Sequence, residues 1–395
     1  MTDHSVRLLT TAEDRRAAWN LFRSALHVKD GSDEEWERIG EAHRAARTFG
    51  AFDPELVGTV HAFAADAVVP GGARVPLAAV TGVGVRAGRT RRGVLTAMMT
   101  AQLRDMTERG VVLAALHPTE GAIYGRYGYG PATLASDLTV DRHRARMRPE
   151  APAGGEVSVI GLEQAVTRWP ELYAATEPVR AGGMSRPTHY WPPHENQLRR
   201  ESSPVETAVH QGPEGPDGFL IYHVERRKLT VVQFSYTNPA AFAGLWRFLL
   251  SVDLVDEISV LARPLDEPAE LLFTDPRAVK VTSVEDELWT RLVDVPAALA
   301  ARTYGPAEPV VVEVHDRQLP ANDGRYRIGP DGAGRTEQAP ALRLDVAALA
   351  MLYHGAWRAT DLADTGRIEV AHAAAPASVD ALFATRRASW CGTFF

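Results

Sequence analysis

Residues 83–96 have a composition that could bind a diphosphate. They read VGVRAGRTRRGVLT: an apolar strand end, a loop with two glycines and four arginines, and the start of a helix. The first backbone N–H groups of a helix have no partner inside it, so they attract anions, and the helix dipole adds to this attraction. Gly93 lets the backbone approach a ligand closely. The stretch predicts a pyrophosphate cradle, although it matches neither the GxGxxG nor the GxxxxGK[ST] pattern; a solvated basic helix start is the plainer alternative.

A tyrosine and the end of the chain are the other candidates. Residues 119–131 read TEGAIYGRYGYGP, in which glycines surround a short helix that carries Tyr124. Taken alone, a tyrosine in such a turn is more often a packing or hydrogen-bonding residue than a catalyst. The chain ends with CGTFF at residues 391–395. Two terminal aromatic residues predict a tail docked in an apolar groove, because an exposed pair would leave apolar area in water; a disordered tail is the alternative.

The motifs do not support several other chemistries. The GxSxG pattern of nucleophile-elbow hydrolases is absent, and none of the 13 histidines forms an HExxH zinc motif. His189 and His194 fall in a proline-interrupted stretch and are predicted to be surface residues. Cys391 is the single cysteine, which excludes an internal disulfide, and it has no evident base beside it. No metal site is predicted.

Length and composition limit the fold and its partners. The chain has 395 residues, 45% hydrophobic and 24% charged, which predicts two or three domains and excludes wholesale disorder. Fifty acidic against 43 basic residues give a net charge of −7, which argues against a nucleic-acid partner because phosphate binding needs clustered positive charge. No run approaches the ~20 apolar residues that span a bilayer, and the first residues lack a signal-peptide pattern. The sequence therefore predicts a cytoplasmic protein without a membrane partner.

The elements around the candidate residues alternate in an order that repeats. The first part reads as strand, helix, helix, β-hairpin, helix, strand, short helix and strand, with the long helix at residues 92–109 and the last strand at 132–140. Residues 141–155 carry four arginines and two prolines without apolar periodicity and predict a linker. The same order then returns in weaker form up to residue 287, which indicates a duplication.

A third segment begins near residue 288. Asp294 predicts a helix start, and the turn Asn322-Asp323-Gly324 separates two strand-like runs. Asp345 predicts the cap of an apolar helix. These signals together predict a compact α+β module.

The two glycine-rich stretches together resemble the GNAT superfamily of N-acetyltransferases. Its members bind acetyl-CoA with an arginine- and glycine-containing loop after a bent strand, and carry a tyrosine about five residues before a glycine–aromatic pair, here Tyr124 before Gly128-Tyr129. More specifically, the chain resembles the Eis (enhanced intracellular survival) aminoglycoside N-acetyltransferases of actinobacteria. The motifs are IYGRYGYGPAT at residues 123–133, SRP at 185–187, RLVDVPAAL at 291–299 and the terminal Phe395.

This resemblance implies a mixed α/β (α+β) fold with two tandem GNAT folds, the second degenerate, followed by a domain similar to sterol carrier proteins. The domains are expected at residues 1–145, 146–287 and 288–395. The implied activity is acetyl transfer from acetyl-CoA to amino groups of multi-amine small molecules such as aminoglycosides, without a metal, by a homo-oligomer that is a hexamer in relatives. Lysine side chains of proteins are the alternative acceptor, and a non-catalytic lipid or sterol carrier is the alternative of a different class.

The resemblance also assigns roles to individual residues. Tyr124 is expected to be the general acid for the departing thiolate, and the C-terminal carboxylate of Phe395 the general base. The superfamily prefers Gln or Arg where this chain has Thr90, so Arg89 and Arg91 are expected to supply the charge. The residues expected to contact acetyl-CoA are Val83, Gly84, Val85, Arg91, Arg92, Gly93, Val94, Leu95, Thr96, Thr119 and Glu120.

Two regions are assigned a structural role. Residues 236–242, YTNPAAF, have no arginine or glycine where the first copy has its cradle, so the second copy is predicted not to bind a pyrophosphate. Acidic residues on the polar second helix, around Trp36, could attract a cationic acceptor, but a solvated helix face is favoured. These acidic residues are Asp33, Glu34, Glu35 and Glu37.

Overall fold

The computed structural model describes residues 4–177 and 179–395, which form two compact units. The first unit contains residues 4–133, 180–182 and 288–395. The second contains the remaining described residues, between 134 and 287.

The N-terminal part of the first unit begins with short-range capping signals. The Thr11 hydroxyl accepts the N–H of Asp14 at the first helix, and Ser32 with Glu35 forms a capping box at the second. The elements of this part are, in chain order, β1 (Ser5–Leu8), α1 (Ala12–Ala25), α2 (Asp33–Ala45), β2 (Arg47–Asp53), β3 (Glu55–Val68), β4 (Arg74–Val85), α3 (Val94–Glu108), β5 (Leu113–Leu116), α4 (Gly121–Tyr124) and β6 (Gly130–Pro131).

The second unit repeats this order of elements around its own sheet. Its elements are β7 (Leu134–Asp141), β8 (Glu156–Gly161), α5 (Leu162–Thr176), α6 (Trp191–Leu198), β9 (Val205–Gly212), β10 (Gly215–Glu225), β11 (Lys228–Tyr236), α7 (Pro239–Ser251), β12 (Glu257–Pro264) and β13 (Val279–Asp286). The strand order is β13-β7-β12-β11-β10-β9-β8. As β4 pairs in parallel with β5, so β11 pairs in parallel with β12, which bears out the duplication at the level of topology.

The rest of the first unit is the α+β module that the third segment predicts. Its elements are β14 (Trp289–Leu292), α8 (Val295–Ala301), β15 (Val310–His315), β16 (Gly324–Gly329), β17 (Gly332–Arg335), β18 (Leu342–Asp345), α9 (Val346–Tyr353), α10 (Ala359–Asp364), β19 (Glu369–Val370) and α11 (Ala375–Phe383). Asp294 and Asp345 cap α8 and α9 as the sequence predicts. The sheets of the first unit have the orders β1-β2-β3-β4-β5-β14-β6 and β17-β16-β15-β18-β19.

Two strands do not belong to the sheet that chain order assigns to them. The predicted strand at residues 132–140 corresponds to β7, which pairs with β12 and β13 in the second unit rather than closing the first sheet. Its place in the first sheet is taken by β14, which pairs with β5 and β6. The reason is side-chain packing: Leu138 and Val140 are buried in the core of the second unit, and Trp289 in that of the first. The second sheet therefore begins at Leu134 and ends at Asp286, and the first sheet includes β14 from the third segment.

The core of the first sheet lies beneath α3. The methionines at positions 98, 99 and 106 are buried there with Tyr124, Tyr127 and Tyr129. Residues 119–131, called the tyrosine segment below, are therefore anchored in the main core of the first unit. Over the residues that the structure describes, no helix is long and apolar enough to cross a membrane.

Candidate active site

The C-terminal end of β4 carries a bulge opposite β3 and no longer pairs with β5. Thr59 faces Gly84 but His61 faces Thr81, so β4 places two residues opposite one residue of β3 and forms a bulge. The parallel pairing of β4 with β5 runs only from Leu77 to Ala79. Beyond it the two strands separate, and β5 offers no strand partner to the edge of residues 83–85. Backbone N–H and C=O groups on such an edge can bind an extended ligand.

The start of α3 follows this bend. Gly93 precedes the helix with φ of +86°, and the helix start has no side-chain cap. The N–H groups of its first turn therefore remain available for an anion. Arg91 is exposed and also left-handed, with φ of +61°. The sequence predicts that Arg89 supplies positive charge to the ligand. In the structure its guanidinium donates to an Asp53 carboxylate oxygen at 2.8 Å.

A cavity of about 830 Å³ joins the bend, the helix start and the tyrosine segment. Of the residues expected to contact acetyl-CoA, Arg92 lies outside the lining, and its carbonyl oxygen is 2.9 Å from Nε2 of His4. The cavity is lined by Ala25, Leu26, Val83, Gly84, Val85, Arg89, Thr90, Arg91, Gly93, Val94, Leu95, Thr96, Thr119, Glu120, Ala122, Ile123, Tyr124, Arg126 and Tyr127.

Tyr124 lies at the end of α4 and lines this cavity although its side chain is largely buried. Burial, and then the neighbouring Tyr127, raises the pKa of Tyr124 to about 12. The phenol is therefore protonated at neutral pH. The hydroxyl groups of Tyr127 and Thr96 are 3.1 Å apart, which ties the tyrosine segment to the first turn of α3.

The last residues of the chain are docked, as the sequence predicts. Nε2 of His117 lies 2.9 Å from the carbonyl oxygen of Thr393. The Phe395 ring packs edge-on against Phe63 at 5.5 Å and against His117 at 4.9 Å between ring centroids. Phe394 contacts His117 on one side but is 64% exposed. The ring of the last residue is thus held by Phe63 of β3 and by His117, which follows β5.

His117 and Phe63 contact the tail and are candidate site residues that sequence reasoning misses. Each occupies an unremarkable position, Phe63 in the alternating pattern of a strand and His117 directly after an apolar strand. A histidine at the end of a buried strand is the only local signal, since the carboxyl ends of strands often carry functional side chains. Their partner, the tail, is 276 residues away from His117 in the sequence.

Aromatic and histidine side chains fill the space between the two N-terminal helices and β3. Trp19, Trp36 and His43 contact one another, and the His43 ring lies 5.0 Å from that of His61. Burial, and to a smaller extent the charge of Arg15, lowers the pKa of His43 to about 4. Burial, and to a smaller extent the neighbouring His43, lowers the pKa of His61 to about 3. A Cβ built on Gly82 would lie 2.2 Å from the His61 ring, so this ring fills the space beside the bulge. Both imidazoles are neutral at pH 7.

The acidic residues near Trp36 are engaged by neighbours. Asp33 pairs with Arg16, and Glu34 pairs with Arg38 at 2.7 Å. The Glu35 carboxylate belongs to the capping box. These contacts support the favoured interpretation of a solvated helix face.

In the second copy the start of the corresponding helix is capped by its own side chain. The side chain of Asn238 caps α7 by accepting the N–H of Ala241 at 2.9 Å, and Pro239 has no N–H to offer. The Asn238 amide also donates to Asp217 at 2.7 Å, which adds negative charge where a phosphate would need positive charge. In the same unit His194 is half-buried rather than exposed as the sequence predicts: its ring packs against Tyr190, and burial lowers its pKa to about 3.

We expect calorimetric titration to give one acetyl-CoA site per chain. Gly93→Ala should weaken that site by about 5- to 30-fold, because a left-handed conformation costs a residue with a Cβ about 1–2 kcal/mol. Gly88→Ala is the matched control: its Cβ meets nothing within 4 Å and its φ is not positive, so affinity should stay within about twofold. A second site of similar affinity would contradict the structural role of the second copy.

Among residues 4–177 and 179–395, no group of three His, Cys, Asp or Glu side chains is placed to hold a metal ion. Cys391 is buried near the docked tail, with its sulfur 3.5 Å from the Thr393 carbonyl oxygen.

Comparison with protein families divides the chain into three parts. Acetyltransferase (GNAT) domain families match residues 5–132 and 182–293, and a sterol carrier protein domain family matches residues 295–392. The matches confirm the order of two acetyltransferase folds and a sterol-carrier-like domain.

Individual relatives cover most of the chain. An uncharacterized N-acetyltransferase of Streptomyces avermitilis is 36% identical over 414 aligned residues, covering 100% of this chain and 99% of the relative. The N-acetyltransferase Eis of Mycobacterium tuberculosis is 34% identical over 330 residues, 80% of each chain. The crystal structure of Eis1 from Mycobacterium abscessus superposes with a TM-score of 0.89 at 34% identity, covering 99% of this chain and 100% of that one.

Proposed function

Because the chain belongs to the Eis-type N-acetyltransferases of the GNAT superfamily, we propose that it acetylates amino groups of multi-amine small molecules such as aminoglycosides, with acetyl-CoA as donor. The observation that carries this proposal is the cavity in which the bent end of β4, the uncapped start of α3 and Tyr124 meet. Acyl transfer from a thioester needs these three parts, because it requires donors for an oxyanion, an anchor for the diphosphate and an acid for the leaving sulfur.

The chain's own groups fit acetyl-CoA along this cavity. In the proposal, the diphosphate lies at the first-turn N–H groups of residues 94–96, and Arg91 adds positive charge. The N–H groups of residues 83–85 polarise the thioester carbonyl from the separated edge of β4. Thr119 and Glu120 also line the cavity.

Direct transfer then needs two proton movements. The acceptor nitrogen attacks the thioester carbon, and the carbon–sulfur bond breaks to release an amide and a thiolate. In the proposal Tyr124 is the general acid for that thiolate, and its raised pKa of about 12 keeps the phenol protonated until the sulfur gains charge.

The proposed base is the α-carboxylate of Phe395, which accepts the proton lost by the acceptor amine. An α-carboxyl group has a pKa of about 3.3–3.7 in water, far below that of an amine. The Phe395 ring packs against the Phe63 and His117 rings, so the residue that carries this carboxylate is held in place. Relay of the proton through one water is the alternative route.

A cationic acceptor is compatible with the histidines near the bulge. His43 and His61 are neutral at pH 7, so they add no positive charge beside the end of β4. Trp36 packs on the buried Trp19 and is itself half-buried, so it offers an aromatic face that attracts cations. This is the support for small multi-amine acceptors, with protein lysines as the alternative.

The acceptor is tested by thiol release from acetyl-CoA in parallel reactions with aminoglycosides, linear polyamines and lysine-containing peptides. The proposal expects kcat/KM for at least one aminoglycoside to exceed that for the peptides by about tenfold or more, a difference of about 1.4 kcal/mol. Faster turnover of the peptides would favour the protein-lysine alternative. Bound acetyl-CoA without turnover of any amine would contradict the proposal.

The carrier alternative finds less support in the third segment. Its interior is filled by side chains such as Leu349, Tyr353 and Leu382, each fully buried. A cavity of about 800 Å³ in this segment has charged walls, where Arg343 bonds to both Glu313 and Glu369. Such walls favour water or polar solutes over a lipid chain.

We propose evolutionary domains at residues 1–145, 146–287 and 288–395, although β7 and β14 are exchanged between the sheets. We also propose a homo-oligomer, since the resemblance implies hexamers among relatives. A cytoplasmic location is part of the same proposal.

A further inference from the structure

The segment that carries Tyr124 is packed directly against the third part of the chain. A Cβ on Gly128 would lie 2.7 Å from the Arg291 Nε atom and 2.7 Å from a methyl carbon of Val346. A Cβ on Gly130 would lie 2.4 Å from the carbonyl oxygen of Ala347 in α9. Both glycines follow Tyr124 within six residues. The tyrosine segment and residues 291–347 therefore touch at backbone distance.

Arg291 is held in place by a buried charge. Its guanidinium donates to the Leu292 carbonyl at 2.6 Å and to an Asp316 carboxylate oxygen at 2.5 Å, and both charged side chains are fully buried. The Asp316 carboxylate also accepts the N–H groups of Gln318 and Leu319 at 3.1 Å and the Asn322 amide at 2.8 Å. A buried ion pair with this many hydrogen bonds has one defined geometry.

The path from Arg291 to Tyr124 is short and continuous. Arg291 lies on β14, which pairs with β6 immediately after the tyrosine segment. The Tyr129 N–H bonds to the Tyr124 carbonyl oxygen at 3.3 Å, and the two rings are 6.2 Å apart. Leu319, whose N–H bonds to the Asp316 carboxylate, is buried in the same core cluster as Tyr124.

We propose that Arg291 and Asp316 are positioning residues that hold Tyr124 against the acetyl-CoA cavity, so that the sterol-carrier-like part serves as a frame for the catalytic tyrosine. This inference rests on the proposed role of Tyr124 as general acid. It gives the third part of the chain a function in catalysis beyond supplying the terminal carboxylate.

The test is a double-mutant cycle on the full chain with Tyr124→Phe, Arg291→Met and the combined variant. Arg291→Met should lower kcat by up to about 10²-fold, because small misplacement of a reacting group has that effect, while the KM for acetyl-CoA stays within about threefold. Arg291→Lys, which keeps the charge, should recover part of the loss. The decisive result is that adding Arg291→Met to Tyr124→Phe lowers kcat no further.

The matched control is Arg343→Met, which removes an exposed arginine with two carboxylate partners from the same part of the chain. It should leave kcat unchanged. Multiplied losses in the combined variant, or an equal loss from Arg343→Met, would overturn the positioning role alone. Full activity of Tyr124→Phe would instead overturn the proposed acid. If Arg291→Met does not fold, the same cycle is run with Asp316→Asn, and the same outcomes decide.

Discussion

Replacing Tyr124 by Phe is expected to lower kcat by about 10²- to 10⁴-fold, the contribution of a positioned general acid. The change removes one oxygen and leaves the ring contact with Tyr129 in place. The KM for acetyl-CoA should change little, since the proposed diphosphate site at α3 and the edge of β4 are untouched. Steady-state kinetics with a saturating amine measures both quantities.

The pH dependence gives a second measurement of the same role. Burial raises the pKa of Tyr124 to about 12, so the phenol stays protonated, and the enzyme should show no loss of kcat from this group up to about pH 10. Tyr222→Phe is the matched control, because Tyr222 is also buried but lies in the second unit. It should retain kcat within about twofold. Retention of more than about a tenth of kcat by Tyr124→Phe would rule out the acid role.

Extending the chain by two residues after Phe395 is expected to abolish acetyl transfer, with a fall in kcat of about 10²-fold or more. The extension converts the carboxylate of Phe395 into a neutral amide and moves the new charge away from the Phe63 and His117 rings. Acetyl-CoA affinity, measured by calorimetry, should stay within about twofold because its cavity does not include the tail.

Two further variants separate the carboxylate from the ring that carries it. Phe395→Ala keeps a terminal carboxylate but loses both ring contacts, so activity should fall by less than in the extended chain. A Phe395 carboxamide made by semisynthesis keeps the ring contacts and loses the charge, and it should be as inactive as the extended chain. An active carboxamide would show that the tail contributes packing rather than a base.

Much of the fold is readable from local patterns. Signals within a few residues of each other predict the helix caps Asp294 and Asp345 and the long helix after Gly93. They also predict that the second copy repeats the element order of the first. Helix caps and periodicity depend on contacts between positions three or four apart, which a sequence states directly. The cradle and the tyrosine segment were identifiable for the same reason.

Other features depend on which distant elements pack together. The exchange of β7 and β14 between the sheets cannot be derived from a strand's own pattern, because either core could bury its apolar side chains. Arg89, whose charge the sequence assigns to the ligand, lines the cavity but is paired with Asp53. Periodicity predicts which face is buried but not against which partner.

In the candidate active site, too, some features follow from the sequence and others only from the tertiary structure. The residue types alone indicate a diphosphate cradle, a tyrosine that could act as an acid, and an aromatic tail that should be docked. Only the tertiary structure decides that the tail docks on Phe63 and His117, that buried histidines beside the bulge are neutral, and that Arg291 backs the tyrosine segment. The physical reason is that these contacts join residues far apart in the chain, where burial and charge are set by neighbours that no local pattern names.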